Sequence, residues 1–223
     1  MPGINKKRAI LAGVVILLIL VVGFGLVFWR FNLKDLIFKT KDPAVLAINK
    51  DAFIYKDEMG EEKYLEAVKR LEEVQNKLKA DLSNTDLWFE FGVIKNYLGD
   101  KEGAIFAWEK TLELGPYFLP VLNNLGDVYA DYGKDYERAE SFYLRFLEKE
   151  PNYSVYGKLA DLYRYNLTAK KDQIEPLILS AIENDPANKS NYLSYLLEFY
   201  KQENDLVKIE YYRQQIKLID SKE

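Results

Sequence analysis

Residues 88–116 read WFEFGVIKNYLGDKEGAIFAWEKTLELGP, and the closing phrase returns twice further along the chain. WEKTLELGP ends at Pro116, RFLEKEP at Pro151 and LSAIENDP at Pro186, so the three prolines stand 35 residues apart. A fixed period of that length marks a chain made of stacked supersecondary units, none of which buries its apolar face alone. Inside the quoted stretch, Trp88, Phe91 and Gly92 precede a Leu98-Gly99-Asp100 break, and Ala104, Ile105 and Trp108 follow it. Bulky and small residues at helical spacing on both sides of a break describe two helices joined by a tight turn.

Trp88-x-x-Phe91-Gly92, Leu98-Gly99-Asp100, Ala104-Ile105, Trp108 and Pro116 together resemble the tetratricopeptide repeat, whose unit is about 34 residues. Leu122, Leu125-Gly126, Tyr129, Gly133, Ala139, Tyr143 and Pro151 make a second unit, with one extra turn residue at Lys134-Asp135. The third is looser: Tyr156, Leu159-Ala160, Tyr163, Ile178, Ala181 and Pro186 fit, residues 167–172 lengthen the turn, and Ile174 stands where a small residue is expected. A fourth, residues 189–220, puts Leu196 and Lys208 at the small positions and Asp220 at the proline position, as a terminal unit with nothing to stack on would. The resemblance implies an all-α fold: a solenoid of about four helix pairs behind a capping helix.

Packing geometry explains these residue types. Two antiparallel helices approach closely only where Gly or Ala leaves room, so Gly92, Gly126, Ala104 and Ala139 mark crossings that Trp88, Trp108, Tyr129, Tyr143 and Phe146 fill around. Gly99, Gly133 and Asn166 are the expected left-handed residues ending the first helix of each pair. Pro176 is tolerated only in a first turn, which sets the start of the helix near residues 173–175. Tyr64, Ala67, Val68, Leu71, Val74 and Leu78 give residues 61–80 the stripe of an amphipathic cap helix. The expected organisation is a basic tail (1–8), a transmembrane helix (9–29), a juxtamembrane segment and linker (30–57) and the solenoid (58–223). Within the solenoid lie a cap (58–82) and repeats at 85–118, 119–153, 154–188 and 189–220.

The transmembrane expectation rests on 21 residues without a polar side chain, AILAGVVILLILVVGFGLVFW, enough to span about 30 Å of hydrocarbon. Lys6, Lys7 and Arg8 before it would also suit a signal peptide, but the run exceeds an h-region and ends on Phe28-Trp29-Arg30, an interfacial stop. The basic cluster favours a single-pass plasma-membrane protein with its N-terminus cytoplasmic and the repeat body outside; a cytoplasmic body is the alternative, since Arg30, Lys34, Lys39 and Lys41 nearly balance the count.

Composition excludes much. With no cysteine and no histidine the chain makes no disulfide, no thiolate or imidazole metal site and no triad using either. Residues 1–30 hold four basic side chains and no acid, leaving 27 basic against 35 acidic in the rest, an acidic body that repels a phosphate backbone and argues against nucleic acid. No serine has lysine three residues on, and Gly133-Lys134 and Gly157-Lys158 lack the earlier glycine of a phosphate loop. Asp127 and Asp131 share a helix face, the minimum for paired-carboxylate chemistry, but read better as groove lining. Asn152-Tyr153-Ser154, Asn166-Leu167-Thr168 and Asn188-Lys189-Ser190 meet the glycosylation pattern, which matters only in a eukaryotic lumen. No cofactor, metal or catalytic residue is therefore expected, and the protein is not expected to be an enzyme.

The resemblance implies that the variable positions of each first helix line a concave groove. These are Phe89, Val93, Asn96 and Tyr97, then Asn123, Asp127, Ala130 and Asp131, then Lys158, Asp161, Arg164 and Tyr165. Amides and aromatics there can grip an extended peptide or an inserted helix. Family members that clamp a chain-terminal carboxylate use basic and amide residues where Phe89 and Val93 stand, so that mode is disfavoured. The expected function is a membrane-tethered protein-interaction scaffold or assembly factor, with a layout resembling bacterial envelope proteins that assist secretion, pilus or cell-wall assembly. A self-associating structural solenoid and an accessory subunit of an envelope enzyme are the alternatives.

Overall fold

A computed structural model describes residues 46–220 of the chain, and those from Ile48 onward form one compact unit. Every regular element among the described residues is helical. The cap is α1 (Glu61–Ala80), which buries Val68, Leu71, Val74 and Leu78 along one stripe. It is followed by antiparallel pairs: α2 (Thr85–Leu98) with α3 (Lys101–Leu114), α4 (Leu119–Val128) with α5 (Tyr136–Leu147), α6 (Tyr153–Tyr165) with α7 (Ile174–Asn184), and α8 (Lys189–Glu203) with α9 (Leu206–Asp220). Short polar side chains start many of them. Asn84, Asp100, Asp135 and Asn152 each accept a hydrogen bond from the backbone N–H three residues on, at 2.8–3.2 Å, each worth about 1 kcal/mol to its helix.

The crossings fall on the glycines. A Cβ on Gly92 would lie 2.5 Å from Trp108 ring atoms, and one on Gly126 would lie 2.3 Å from Cε1 of Tyr143. Ala104, Ala139 and Ala181 are fully buried in the facing helices, and so is Ile174.

The turns are less uniform than the glycine pattern predicts. Gly99 is left-handed (φ 92°) as expected. After α4, however, the extra turn residue is absorbed by a π-turn over Tyr129–Gly133, and Lys134 rather than Gly133 takes the left-handed conformation (φ 47°). Asn166 stays right-handed because the chain runs on into a 3-10 segment, Thr168–Gln173; the left-handed asparagine is Asn204, between α8 and α9. Residues 48–60, read from sequence chiefly as linker, fold onto the first repeat: Phe53 is buried and Tyr55 donates its N–H to the Leu98 carbonyl.

The repeats are joined by a recurring polar contact. Tyr129 and Tyr163 stand seven residues after Leu122 and Tyr156, Tyr200 stands eight after Tyr192, and each donates its hydroxyl to a carboxylate on the preceding pair. Tyr129 bonds Glu109 at 2.9 Å, Tyr163 bonds Glu140 at 2.7 Å and Tyr200 bonds Glu175 at 2.8 Å. A cation completes each joint. Arg138 donates to the Tyr129 hydroxyl at 3.1 Å, Lys170 to Glu140 at 2.6 Å, and Lys208 to Glu175 at 2.5 Å. Each cation also lies 5.2–5.7 Å from the centre of its tyrosine ring. Glu175 additionally accepts from Tyr212, which stacks on Tyr200.

The expected single-pass placement, N-terminus cytoplasmic and body outside, is corrected here. No helix among the described residues is long and apolar enough to cross a membrane. Even α1, at 20 residues, carries acid and base on its outer face. Residues 9–29, on which that placement rested, lie outside the described residues, as does the basic tail.

Candidate functional site

The first helices of the second and third pairs, α4 and α6, put their variable positions around adjoining clefts. One, of about 150 Å³, is lined by Asn96, Lys101, Trp108, Asn124, Asp127, Val128, Asp131 and Tyr132. The next, of about 300 Å³, is lined by Asp127, Ala130, Asp131, Tyr143, Lys158, Asp161, Leu162, Tyr165 and Asn166. Asp127 and Asp131 are common to both. A third cleft of about 500 Å³ lies toward the start of these helices, against Asn123, Phe146 and Lys158.

Several of the expected partner-binding groups are already engaged with one another. Lys158 reaches across from α6 to donate to Asn123 Oδ1 at 3.0 Å and Asp127 Oδ2 at 2.8 Å, and Tyr143 donates to Asp127 Oδ1 at 2.8 Å. Burial and the adjacent Asp127 and Asp131 charges push the Tyr143 hydroxyl well above its ordinary range, so it remains a donor. Asp161 accepts from Tyr195 at 2.8 Å, and Asn96 accepts from Lys101 at 2.8 Å. Lys158 therefore neutralises Asp127 across the groove and ties α4 to α6.

Two other predicted residues are held inside. Phe89 is half-buried against the Phe118 ring, 5.0 Å between centroids, instead of standing as groove surface. Arg164 is buried among Tyr165, Tyr195 and Phe199, with its guanidinium 5.3–5.9 Å from each ring and one donation at 3.4 Å to the Glu198 carbonyl. Its Nε, like the buried Trp108 Nε1, donates to no group among the described residues.

What faces solvent is aromatic, aliphatic and acidic, Asp161 being exposed although it accepts from Tyr195. Val93 is 39% exposed, Tyr97 49% and Tyr165 60%, with Asp131 exposed between them in sequence register. Tyr97, Asp131 and Tyr165 each stand nine residues after the first core position of successive repeats, so they form a row across three units. Tyr132, 51% exposed beside Asp131, extends this row and was missed from sequence. The signal in the sequence is the extra residue at Lys134-Asp135, and the structure accommodates it by widening the turn over Tyr129–Gly133.

By sequence, no family model and no curated protein matches the chain. Solved structures do match by fold. A crystal structure of MamA is 16% identical, covers 68% of this chain and 87% of its own, and superposes with a TM-score of 0.55. A MamA RS-1 double mutant is 15% identical over 74% of this chain and 97% of its own, TM-score 0.54. PilF of Pseudomonas aeruginosa is 19% identical over 76% of this chain and 75% of its own, TM-score 0.51. These are tetratricopeptide-repeat proteins, and the helix pairs described above have the tetratricopeptide-repeat fold.

Proposed function

We propose that the protein is an interaction scaffold that holds a segment of another protein against the row Tyr97–Asp131–Tyr165, acting by binding and not by catalysis. The observation that supports this most is the contrast within one face. Its amides and most of its charges are satisfied internally, while large aromatic surfaces beside them remain exposed along successive repeats. Aromatic side chains lose little conformational entropy on binding and carry most of the energy of protein interfaces. Asp131, exposed and common to both clefts, selects a basic side chain on the segment, and rim charges of this kind set register more than affinity. The acidic balance of the chain supports a protein partner over nucleic acid.

Selection of a displayed random-peptide library on the full chain tests this. Recovered peptides are expected to carry an apolar anchor near a lysine or arginine, and to lose at least tenfold in affinity with Tyr165→Ala or Asp131→Lys. Undiminished binding with Tyr97, Asp131 and Tyr165 all replaced would move the binding surface elsewhere.

A further inference from the structure

The last helix, α9, is apolar on two opposite sides. One side closes the solenoid: Tyr212 is buried, and Ile216 and Ile219 pack against the core. The other points away from it. Val207 is 80% exposed, Tyr211 52% and Leu218 55%. With Gln214 these residues follow one another at intervals of four, three and four, within an arc of about 60° at 3.6 residues per turn. That is the spacing of a two-helix seam. The stripe is one helix wide, because the exposed positions of neighbouring α8 are polar: Ser190, Asn191, Ser194, Glu198 and Lys201.

The charges beside the stripe indicate what covers it. Glu210 and Lys217 lie on the same flank, acid toward the start of α9 and base toward its end. Running a second α9 antiparallel, with Tyr211 opposite Gln214 and Val207 opposite Leu218, brings each Glu210 beside the Lys217 of the other copy, twice over by symmetry. A parallel pairing sets Glu210 beside the neutral Gln215 instead. The opposite flank adds no repulsion, since Lys208 is turned inward to Glu175 and Gln215 is uncharged. Within one chain Glu210 is held only by exposed groups one turn away, Arg213 at 2.7 Å and Gln214 at 3.0 Å, which exchange readily.

We propose that α9 pairs antiparallel with α9 of a second copy of this chain, forming a two-fold dimer through Val207, Tyr211, Gln214 and Leu218 with reciprocal Glu210–Lys217 ion pairs. A seam of two turns per heptad over one short helix is small beside standard interfaces of about 1,600 Å², so the dimer is weak and depends on concentration. The partner-binding row is not used, so the two surfaces act independently.

Sedimentation of the full chain over a concentration series tests the register as well as the interface. The wild type is expected to dimerise. Glu210→Lys and Lys217→Glu should each weaken association at least tenfold, and Val207→Asp should abolish it, with helical circular dichroism unchanged because all three positions are exposed. Mixing the two charge-reversed variants in equal amounts should restore dimers, since every flank then meets its opposite, and the double variant should dimerise by itself. A monomeric wild type, association that survives Val207→Asp, or a mixture no better than its components would overturn the proposal.

Discussion

The first repeat and the three later ones solve the same problem with different chemistry. At the position where Tyr129, Tyr163 and Tyr200 reach back to the preceding pair, the first repeat has Lys95. Its side chain is 5% exposed and donates to Asp100 Oδ2 at 2.6 Å, a partner in the turn of its own repeat. Asp100 in turn caps α3 through Gly103 N, and a Cβ on Gly103 would collide with both charged groups. The cap helix is then joined to this repeat by its apolar stripe and by Arg70, which reaches Glu90 of α2 at 2.6 Å in solvent. The later joints cross between repeats, whereas the first joint closes on itself. Directional bonds between units are the nearest-neighbour terms that make a solenoid melt as one body. The difference therefore predicts strong coupling from α3 onward and weaker coupling of α1.

The largest effect should come from breaking the closed joint. Asp100→Ala leaves the buried Lys95 ammonium without its partner and α3 without a cap, and should cost about 3–5 kcal/mol by chemical denaturation. Replacing Lys95 by Met and Asp100 by Asn together should recover most of that loss, because no buried charge is then stranded. A smaller effect is expected at a crossing joint. Glu140→Gln removes the charge that accepts from both Tyr163 and Lys170, and should cost about 1.5–3 kcal/mol. Because the lost bonds join two repeats, thermal unfolding should also broaden or split, which Asp100→Ala should not cause.

Alkaline pH acts on all three crossing joints at once. Burial and the neighbouring Glu109 push the Tyr129 hydroxyl up to about 12 from its ordinary 10.0, and burial with Glu140 and Glu175 raises Tyr163 and Tyr200 in the same direction. A raised folded value means that the stability from these groups is fully present below pH 10 and is lost as pH rises through the folded values. Each should remove up to about 1.4 kcal/mol per pH unit in that window. Stability measured against pH should fall while these hydroxyls are still neutral in the folded protein, and level off once their tyrosinate absorbance appears. Smallest of all, Arg70→Ala at the exposed cap contact should leave global stability almost unchanged. Hydrogen exchange in α1 should be faster than in α4 to α7.

Much of this architecture was legible in the chain. The three prolines set the period, and Gly92 and Gly126 marked crossings that their contacts with Trp108 and Tyr143 explain. The joints were not legible, because Glu109, Glu140 and Glu175 look like any solvated acid on a helix until the following pair is placed over them. Tyr129 and Tyr163 do carry a signal in their common distance from Leu122 and Tyr156, but core packing alone accounts for large residues there. Left-handed turns were misplaced at Gly133 and Asn166 for a related reason: an inserted residue can be absorbed by a wider turn as well as by a cap. The groove positions are polar and aromatic in the sequence, but sequence does not show that Lys158 is engaged by Asn123 and Asp127. Val93, Tyr97, Asp131, Asp161 and Tyr165 are the positions that this face leaves exposed.

The exposed row Tyr97–Asp131–Tyr165 is proposed to receive a protein segment. Single photoreactive residues placed at Tyr97, Tyr132 and Tyr165, and for contrast at Leu114, Leu144 and Leu179 on exposed sites of the second helices, test it in living cells. Crosslinks to the same partner chain are predicted from the three tyrosine positions and not from the three leucine positions. Crosslinks confined to the leucine positions, or none that depend on Asp131, would contradict it.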